Sequence, residues 1–346
     1  MTGVNSISPA NARISAWLFF MCALVMLMVI VGGATRLTDS GLSITEWKPV
    51  TGALPPLSEA HWLSEFEKYQ RIPEYEQINF GMSLDEFKFI YWWEWGHRFL
   101  GRLIGFAFFV PFVFFLVSRQ LSRGLAVKLF GLLLLGGLQG FMGWYMVKSG
   151  LSERVDVSQY RLAAHLSLAV ILFALMAWIA LDLRFRDRAH EGVALRPKKP
   201  MATGAFLLTG AIFIQIILGA FVAGLRAGST FNSWPLMDGQ FFPAAYFSAT
   251  PKFADIFESV AAVQFNHRLW AYVTFAAAIL FFLKARATPI MRYAGLLLFA
   301  VSAQAILGIF TLVLHTPLWL GLLHQAGAIL VLFMAIVTAH RAYRFS

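Results

Sequence analysis

Long runs of apolar residues alternate with shorter polar segments along the whole chain of 346 residues. Eight of these runs have about the length that an α-helix needs to cross the hydrocarbon core of a bilayer. Main-chain N–H and C=O groups in lipid must pair within their own segment, so the runs predict helices rather than strands. The predicted spans are residues 14–35, 95–117, 126–147, 162–181, 201–225, 265–283, 293–314 and 318–339.

The polar segments between the spans carry charges that predict the orientation of the chain. Alternate segments, including both termini, hold 15 of the 28 Lys and Arg residues but only 3 of the 18 Asp and Glu residues. The basic side of a membrane protein faces the cytoplasm, so we expect both termini to be cytoplasmic and the long segment 36–94 to lie outside. The net charge of +10 is mostly this topology signal, and no nucleic-acid partner is expected. The first span is expected to be retained rather than cleaved.

Composition excludes several other classes of protein. A chain that is 59% hydrophobic and 13% charged is not a soluble globular domain. Its single cysteine, Cys22, lies inside an apolar run. This excludes a disulfide within the chain and any cysteine-based metal or iron–sulfur site.

The chain also contains an internal repeat. GGATRL followed by EWGHR (94–98) in the first half corresponds to GAFVAGLR followed by QFNHR (264–268) in the second, and QGFMG (139–143) corresponds to QAILG (304–308). Each half has an even number of spans, so both halves have the same orientation. We therefore predict an all-α membrane protein of eight helices, as two tandem four-helix bundles, 1–190 and 191–346, related by a pseudo-two-fold axis along the membrane normal.

Four histidines occupy matching places in this repeat, near the start of each even-numbered span. Histidine is a common axial ligand of haem iron, and two imidazoles from neighbouring helices would clamp one flat ligand. The residue four positions after each histidine lies on the same helix face and is small, which would clear space for a porphyrin. Small residues are also common wherever membrane helices pack, so packing alone is the alternative. The histidines are His97, His165, His267 and His324, followed by Gly101, Ala169, Ala271 and Ala328.

The other four histidines fit a ligand role less well. His61 and His190 lie in polar segments and are expected to be solvated, and His340 ends the last span, where a basic residue is expected. His315 is the competitor of His324, but it has no counterpart in the first half. We therefore rank His315 below His324.

Glu94 lies three residues before His97 and on the same helix face, whereas its counterpart in the second half is Gln264. Glu94 could simply pair with Arg98 four residues later. Alternatively, the first half performs chemistry that needs a carboxylate, and the second half only holds a cofactor. Arg98 and Arg268 each follow a candidate ligand and would either bind haem propionates or reach to the membrane surface.

Five motifs together resemble the haem A synthase family over nearly the whole chain: GGATRLTDSGLSITEWKPVTGALPP, EWGHRFLGR, GLQGFMGWYMVKSGL, QFNHR and LLHQAGA. The family oxidises the C8 methyl of haem O to a formyl group through a hydroxymethyl intermediate. The resemblance implies that His97 and His165, with Arg98, form the substrate-haem site, with Glu94 beside the reacting edge as the catalytic group. It implies that His267 and His324, with Arg268, hold a resident haem B.

The resemblance also implies partners and a location. Haem O would be the substrate, and haem A the product for haem A-containing cytochrome oxidases, in the bacterial cytoplasmic (inner) membrane. Candidate partners are a haem O synthase, oxidase assembly factors, membrane lipid, a second copy of this chain and an unidentified electron-transfer partner. Two alternatives stay open: a non-enzymatic di-haem electron-transfer protein of the cytochrome b kind, and a transporter with parallel repeats.

Overall fold

The computed structural model describes residues 8–151, 155–185, 199–247 and 252–344. Regular structure in these residues is helical, apart from one isolated β-bridge between Met237 and Gln240. The α-helices are α1 (Pro9–Leu37), α2 (Glu59–Tyr69), α3 (Pro73–Gln77), α4 (Leu84–Val117), α5 (Arg123–Lys148), α6 (Gln159–Phe185), α7 (Lys199–Gly224), α8 (Asp255–Glu258), α9 (Val260–Ala285), α10 (Met291–Val313) and α11 (Leu318–Arg344).

Eight of these helices are long and apolar enough to cross a membrane: α1, α4, α5, α6, α7, α9, α10 and α11. They match the eight predicted spans, two of which run one residue past the end of the helix, so the prediction of an all-helical, multi-pass membrane protein is confirmed. Their outward faces carry many exposed large apolar side chains, as expected for helices that are surrounded by lipid.

The second long helix, α4, begins earlier than the pattern of apolar residues predicted. Ser83 caps it, since the Ser83 hydroxyl accepts from the Glu86 N–H and the Glu86 carboxylate accepts from the Ser83 N–H at 2.8 Å. The first turns bury Phe87 and Tyr91 in a cluster of apolar side chains that come mainly from the segment between α1 and α4. His97 therefore lies in the fourth turn of α4 rather than in its first two turns, because the helix extends beyond the apolar run.

The chain divides into two compact units, Leu24–Ala169 and Met1–Ala23 with Val170–Ser346. In the first unit α4 packs against both α5 and the short helix α2. In the second unit α7, α9, α10 and α11 form a closed ring of neighbours, each packed against two others. The boundary predicted at 190 lies outside the described residues, and the two-half division with its pseudo-two-fold axis stays a prediction.

Candidate functional site

Each of the four candidate histidines faces a glycine on the long helix that precedes it in the chain. A Cβ atom at that glycine would crowd the imidazole ring, so only glycine leaves the ring its present space. The structure also places His97 and His165 in one compact unit and His267 and His324 in the other. The distances from such a Cβ to the nearest ring atom are 3.2 Å for Gly32 and His97, 3.1 Å for Gly143 and His165, 3.2 Å for Gly219 and His267, and 2.8 Å for Gly308 and His324.

A second row of small residues lies one helical turn beyond the histidines, as the spacing predicted. Gly101, Ala169, Ala271 and Ala328 occupy the same helices as their histidines: α4, α6, α9 and α11. Small residues therefore border each imidazole both on its own helix and on the neighbouring helix. A flat macrocycle bound through iron fits such a cradle, whereas bulky side chains at these places would exclude it.

Three glutamines contact the histidines, and the pattern of sequence repeats did not predict their role. Gln215 and Gln304 each place Nε2 3.1 Å from Nδ1 of His267 and His324, respectively. Gln139 places Nε2 3.5 Å from Nε2 of His165. Each glutamine lies four residues before the glycine that faces the same histidine, and that shared spacing is the signal that could have identified all three.

The amide oxygens of two of these glutamines support the fit of a haem. Within the described part of the chain, Gln139 Oε1 and Gln215 Oε1 are buried without a hydrogen-bond partner. An imidazole that binds iron through one nitrogen carries a proton on the other and needs an acceptor for it. The structure turns the amide nitrogens toward the rings, so these oxygens become acceptors for a ring N–H when the amides rotate. The residues present therefore fit a histidine-ligated haem.

Glu94 is buried and its carboxylate accepts three hydrogen bonds. Ser43 Oγ and the Ile44 N–H both donate to Oε2 at 2.8 Å, and Arg98 Nη2 donates to Oε1 at 2.6 Å. Arg98 also donates to the main-chain carbonyls of Ile44 and Glu46. Glu94 and Arg98 thus form a buried ion pair that fixes the segment after α1 against α4.

Gln264 holds the corresponding loop in the second half, but it donates hydrogen bonds to that loop, whereas Glu94 accepts them. Its Nε2 donates to the carbonyls of Ala227 at 2.7 Å and Thr230 at 2.6 Å, and its Oε1 accepts from Arg268 Nη2 at 2.8 Å. Arg268 donates onward to the carbonyls of Phe231 and Ser233. The loop after α7 presents acceptors to Gln264, whereas the loop after α1 presents donors to Glu94. Loop polarity therefore accounts for the difference between the two residues without any catalytic role.

The ion pair between Glu94 and Arg98, one of the two interpretations left open by the sequence, is present in the structure. Arg98 and Arg268 both point several of their donors at loop carbonyls, and neither simply reaches to the membrane surface. Their assignment to haem propionates stays a prediction. The catalytic assignment of Glu94 likewise stays a prediction.

The remaining histidines lie apart from the glycine-lined positions. His315 lies on the loop between α10 and α11. It lines a different cavity, together with Asp238 and Asn232. His61 is exposed on α2, whereas His190 lies outside the described residues. His340 is completely buried, and its Nε2 lies 3.0 Å from the Asp182 carboxylate, so it is a packed, paired residue rather than a surface base.

Comparison with known proteins identifies the family. A family model described as cytochrome oxidase assembly protein (COX15-CtaA) matches residues 15–336. A protein named "Heme A synthase" from Parvibaculum lavamentivorans is 52% identical over 341 residues, which cover 98% of this chain and 97% of that relative. The chain belongs to the haem A synthase family. A second family member, "Heme A synthase" of Nitrosospira multiformis, is 48% identical over 338 residues, covering 96% of this chain and 94% of its own length.

Membership of the haem A synthase family confirms the resemblance drawn from the five motifs. A third family member, from Bradyrhizobium diazoefficiens, is 50% identical over 346 residues, 99% of this chain and 94% of the relative. The match extends across both compact units and therefore includes all four pairs of histidine and glycine.

Proposed function

We propose that this chain is a haem A synthase, an enzyme that oxidises the C8 methyl of haem O to a formyl group through a hydroxymethyl intermediate. The observation that carries the proposal is the repeated pairing of histidine with glycine, two pairs in each compact unit, in a chain about half identical to proteins named "Heme A synthase". Two histidines in each unit could supply both axial ligands of one haem. A synthase that keeps one haem and modifies another needs two haem-binding sites, one for each.

The two places would have different occupants. His97 and His165 would hold substrate haem O, with Arg98 near its propionates, and His267 and His324 would hold a resident haem B, with Arg268 in the matching role. Bound haem supplies the redox chemistry, whereas the protein supplies position and electrostatics. The division is supported by Glu94, since a buried carboxylate one helical turn from the ligand occurs only in the first of the two places.

Glu94 would act on the reacting methyl group as a fixed anion. Oxidation of a methyl group releases protons and can develop positive charge at the carbon. A carboxylate that is already oriented by Ser43, Ile44 and Arg98 needs no reorganisation to stabilise such charge. The positive charge of Arg98 offsets part of the electrostatic field of the Glu94 carboxylate. The contribution of this carboxylate to the reaction therefore has to be separated by experiment from its role in holding the loop.

The surroundings of the enzyme follow from the same proposal. The chain would lie in the bacterial cytoplasmic membrane with both termini in the cytoplasm and the segment around α2 and α3 outside. It would take haem O from a haem O synthase and pass haem A to oxidase assembly, and its electron-transfer partner would be a separate molecule. A second copy of the chain is a further candidate partner.

Haem extraction tests the function. The chain is expressed in cells that make haem O but have no haem A synthase of their own, and the haems of the purified protein are extracted and separated by chromatography. We expect haem B together with haem A and its hydroxymethyl precursor. Haem O that is bound but never converted would contradict the enzyme assignment.

One observation favours a second candidate function. The polarity of the loop after α1 explains Glu94 as a structural residue, and a di-haem electron-transfer protein would need the histidines but no catalytic carboxylate. In that case the same extraction would yield haem B alone, in an amount that matches two haems per chain.

A further inference from the structure

Residues 47–57, in the segment between α1 and α4, are apolar and exposed although they belong to no membrane-spanning helix. Lys48 is the single charged residue among them. Their large apolar side chains are between 47% and 81% exposed: Trp47, Val50, Leu54 and Leu57. A contiguous apolar surface of this kind is unfavourable in water and indicates contact with another apolar phase.

The main-chain groups at the start of this segment are paired, as an irregular chain beside lipid requires. Arg102 on α4 donates from Nε to the Pro49 carbonyl and from Nη2 to the Lys48 carbonyl, both at 2.9 Å. The 3-10 helix Thr51–Ala53 and the residue after it add N–H donors to carbonyls within the segment. The three prolines of the segment carry no N–H group to be satisfied.

Arg102 places the segment at the edge of the hydrocarbon core. It lies fifteen residues before Val117, the last residue of α4, which corresponds to about 22 Å along the helix axis. The hydrocarbon core is about 30 Å thick, so a core that begins at Val117 extends beyond Arg102. Since a long arginine side chain reaches toward the membrane surface, the carbonyls of Lys48 and Pro49 lie close to the boundary between hydrocarbon and headgroups.

The exposed segment continues the lipid-facing surface of α4. Phe99 and Phe106 are exposed, and they lie three residues before and four residues after Arg102, on the same face of the helix. Toward the start of that face Arg98 lies over the Trp47 ring, with 5.6 Å between Cζ and the ring centroid. Tryptophan at this level is typical of a membrane interface.

The second half repeats the arrangement with different residues. Trp234 is exposed, and its Nε1 donates to Tyr272 Oη on α9 at 3.1 Å. Tyr272 follows the candidate histidine of its helix by five residues, as Arg102 does in the first half. In each half the chain therefore returns beside the histidine-bearing helix at the same level and presents a tryptophan there.

We propose that residues 47–57 are a lipid anchor, whose exposed apolar side chains enter the bilayer leaflet beside the start of the α4 span. The segment continues directly from loop 43–46, which binds Glu94 and Arg98. Phospholipid around the anchor thus fixes one end of the loop that orients Glu94. Arg102 ties the anchor to α4 through main-chain carbonyls, so it is a positioning residue.

Nitroxide labels on single cysteines test the contact with lipid. Val50→Cys and Leu54→Cys are purified as full-length chains, labelled and reconstituted in phosphatidylcholine vesicles. Power-saturation EPR then compares collisions with oxygen, which concentrates in lipid, and with a nickel chelate, which stays in water. Phe106→Cys, exposed on α4, is the reference for lipid, and Ser64→Cys, exposed on α2, is the reference for water. Cys22 is buried and should take up little label.

The labels at Val50→Cys and Leu54→Cys should collide more with oxygen than with the nickel chelate, as the label at Phe106→Cys does. A preference for the nickel chelate, as at Ser64→Cys, would overturn the proposal by placing the segment in water. Few collisions with either reagent would overturn it as well, since protein rather than lipid would then cover the segment.

A charge placed in the anchor tests its effect on the loop. A carboxylate is unfavourable in hydrocarbon, so Val50→Asp should shift the label at Leu54→Cys toward the nickel chelate, whereas the matched control Val50→Leu should leave it in lipid. In the same vesicles, hydrogen exchange of the Ile44 amide, which donates to Glu94, should be faster in Val50→Asp than in Val50→Leu. An unchanged label or an unchanged exchange rate would contradict the anchor. If Val50→Asp does not fold, the label at Val50→Cys decides.

Discussion

Glu94 and Gln264 occupy equivalent positions three residues before a histidine, yet the loops they bind present opposite hydrogen-bonding groups. Ser43 and Ile44 donate to Glu94, whereas Ala227 and Thr230 accept from Gln264. The two neutral donors and the guanidinium satisfy the hydrogen-bonding capacity of the buried carboxylate. The residue is therefore well suited both to hold a loop and to present a fixed charge.

Replacing Glu94 by Gln should separate these two roles. The amide could still accept from Arg98, as Gln264 accepts from Arg268, but its N–H₂ group would oppose the Ile44 N–H. We expect the variant to bind both haems and to convert haem O about 100- to 1000-fold more slowly, since one preorganised electrostatic group is lost. The measurement is the ratio of haem A to haem O extracted from the purified variant and from the wild type.

Ser43→Ala is the matched control for Glu94→Gln. It removes one donor from the same loop, with a cost of about 1 kcal/mol, and leaves the carboxylate charged. Conversion that is normal in Ser43→Ala and lost in Glu94→Gln would show that the charge matters. Equal losses in both would mean that Glu94 acts by placing the loop, and normal conversion in Glu94→Gln would remove Glu94 from the mechanism.

Repeat spacing alone predicted the four histidines and the place of Glu94, because the same residues recur at matching positions in both halves. It did not predict the facing glycines as partners, since which residue meets an imidazole depends on how each helix is rotated against its neighbour. Of the groups that bind Glu94, Arg98 was an expected partner from its i+4 spacing, whereas Ser43 and Ile44 were beyond prediction, because they belong to a loop whose position depends on turns of irregular conformation.

At the scale of elements, the segment between α1 and α4 is an ordered, packed part of the first unit. Helices α2 and α3 bury Tyr69 and Ile72 against the first turns of α4, in a cluster that includes Leu42 and Phe87. Apolar runs long enough to span a bilayer were predictable from the sequence, whereas these shorter helices alternate apolar and polar residues too briefly to give a clear periodicity. The early start of α4 was missed for the same reason.

The segment that contains α2 and α3 should lose stability as the pH rises. Glu74 is 4% exposed, and burial, reinforced by the Glu94 carboxylate, raises its pKa to about 8 from 4.5. The folded segment thus holds the proton that the unfolded segment releases, so its stability is greatest below pH 4.5 and decreases until the pH passes about 8. Hydrogen exchange of α2 and α3, measured across this range, should report the loss of protection.

Glu74→Gln should flatten that pH dependence. The amide oxygen can still accept the hydrogen bond that Tyr69 Oη donates to Glu74 Oε2 at 3.3 Å, and it carries no proton to lose. Glu76→Gln, which removes an exposed carboxylate from the same helix, is the control and should leave the dependence in place. A wild-type profile that is flat over the range would contradict the buried, protonated state of Glu74.

At the scale of the whole molecule, the apolar lengths and the distribution of basic residues place eight helices in a membrane with a predicted orientation. The family match covers both compact units, so it includes all four histidines of the two proposed haem sites. The distribution of Lys and Arg predicts which side of the membrane each polar segment occupies. Chemical labelling of single cysteines can test that prediction directly.

Single cysteines should report the orientation. Ser64 is exposed on α2, in the segment that we expect outside, and Ser122 is exposed before α5, in a segment that we expect in the cytoplasm. In intact spheroplasts a membrane-impermeant thiol reagent should label Ser64→Cys but not Ser122→Cys. The native Cys22 is 4% exposed and should contribute little background. Labelling of Ser122→Cys before lysis, with Ser64→Cys protected, would invert the topology.

The proposed assignment of substrate haem to one pair of histidines and resident haem to the other is tested most directly by haem analysis of two histidine variants. His324→Ala should remove most haem B from the purified protein while haem O is still bound, because only the resident site loses a ligand. His97→Ala should keep haem B and lose haem O and haem A. Loss of the same haem from both variants, or full haem B in His324→Ala with its loss in His315→Ala, would contradict the assignment of one haem to each pair of histidines.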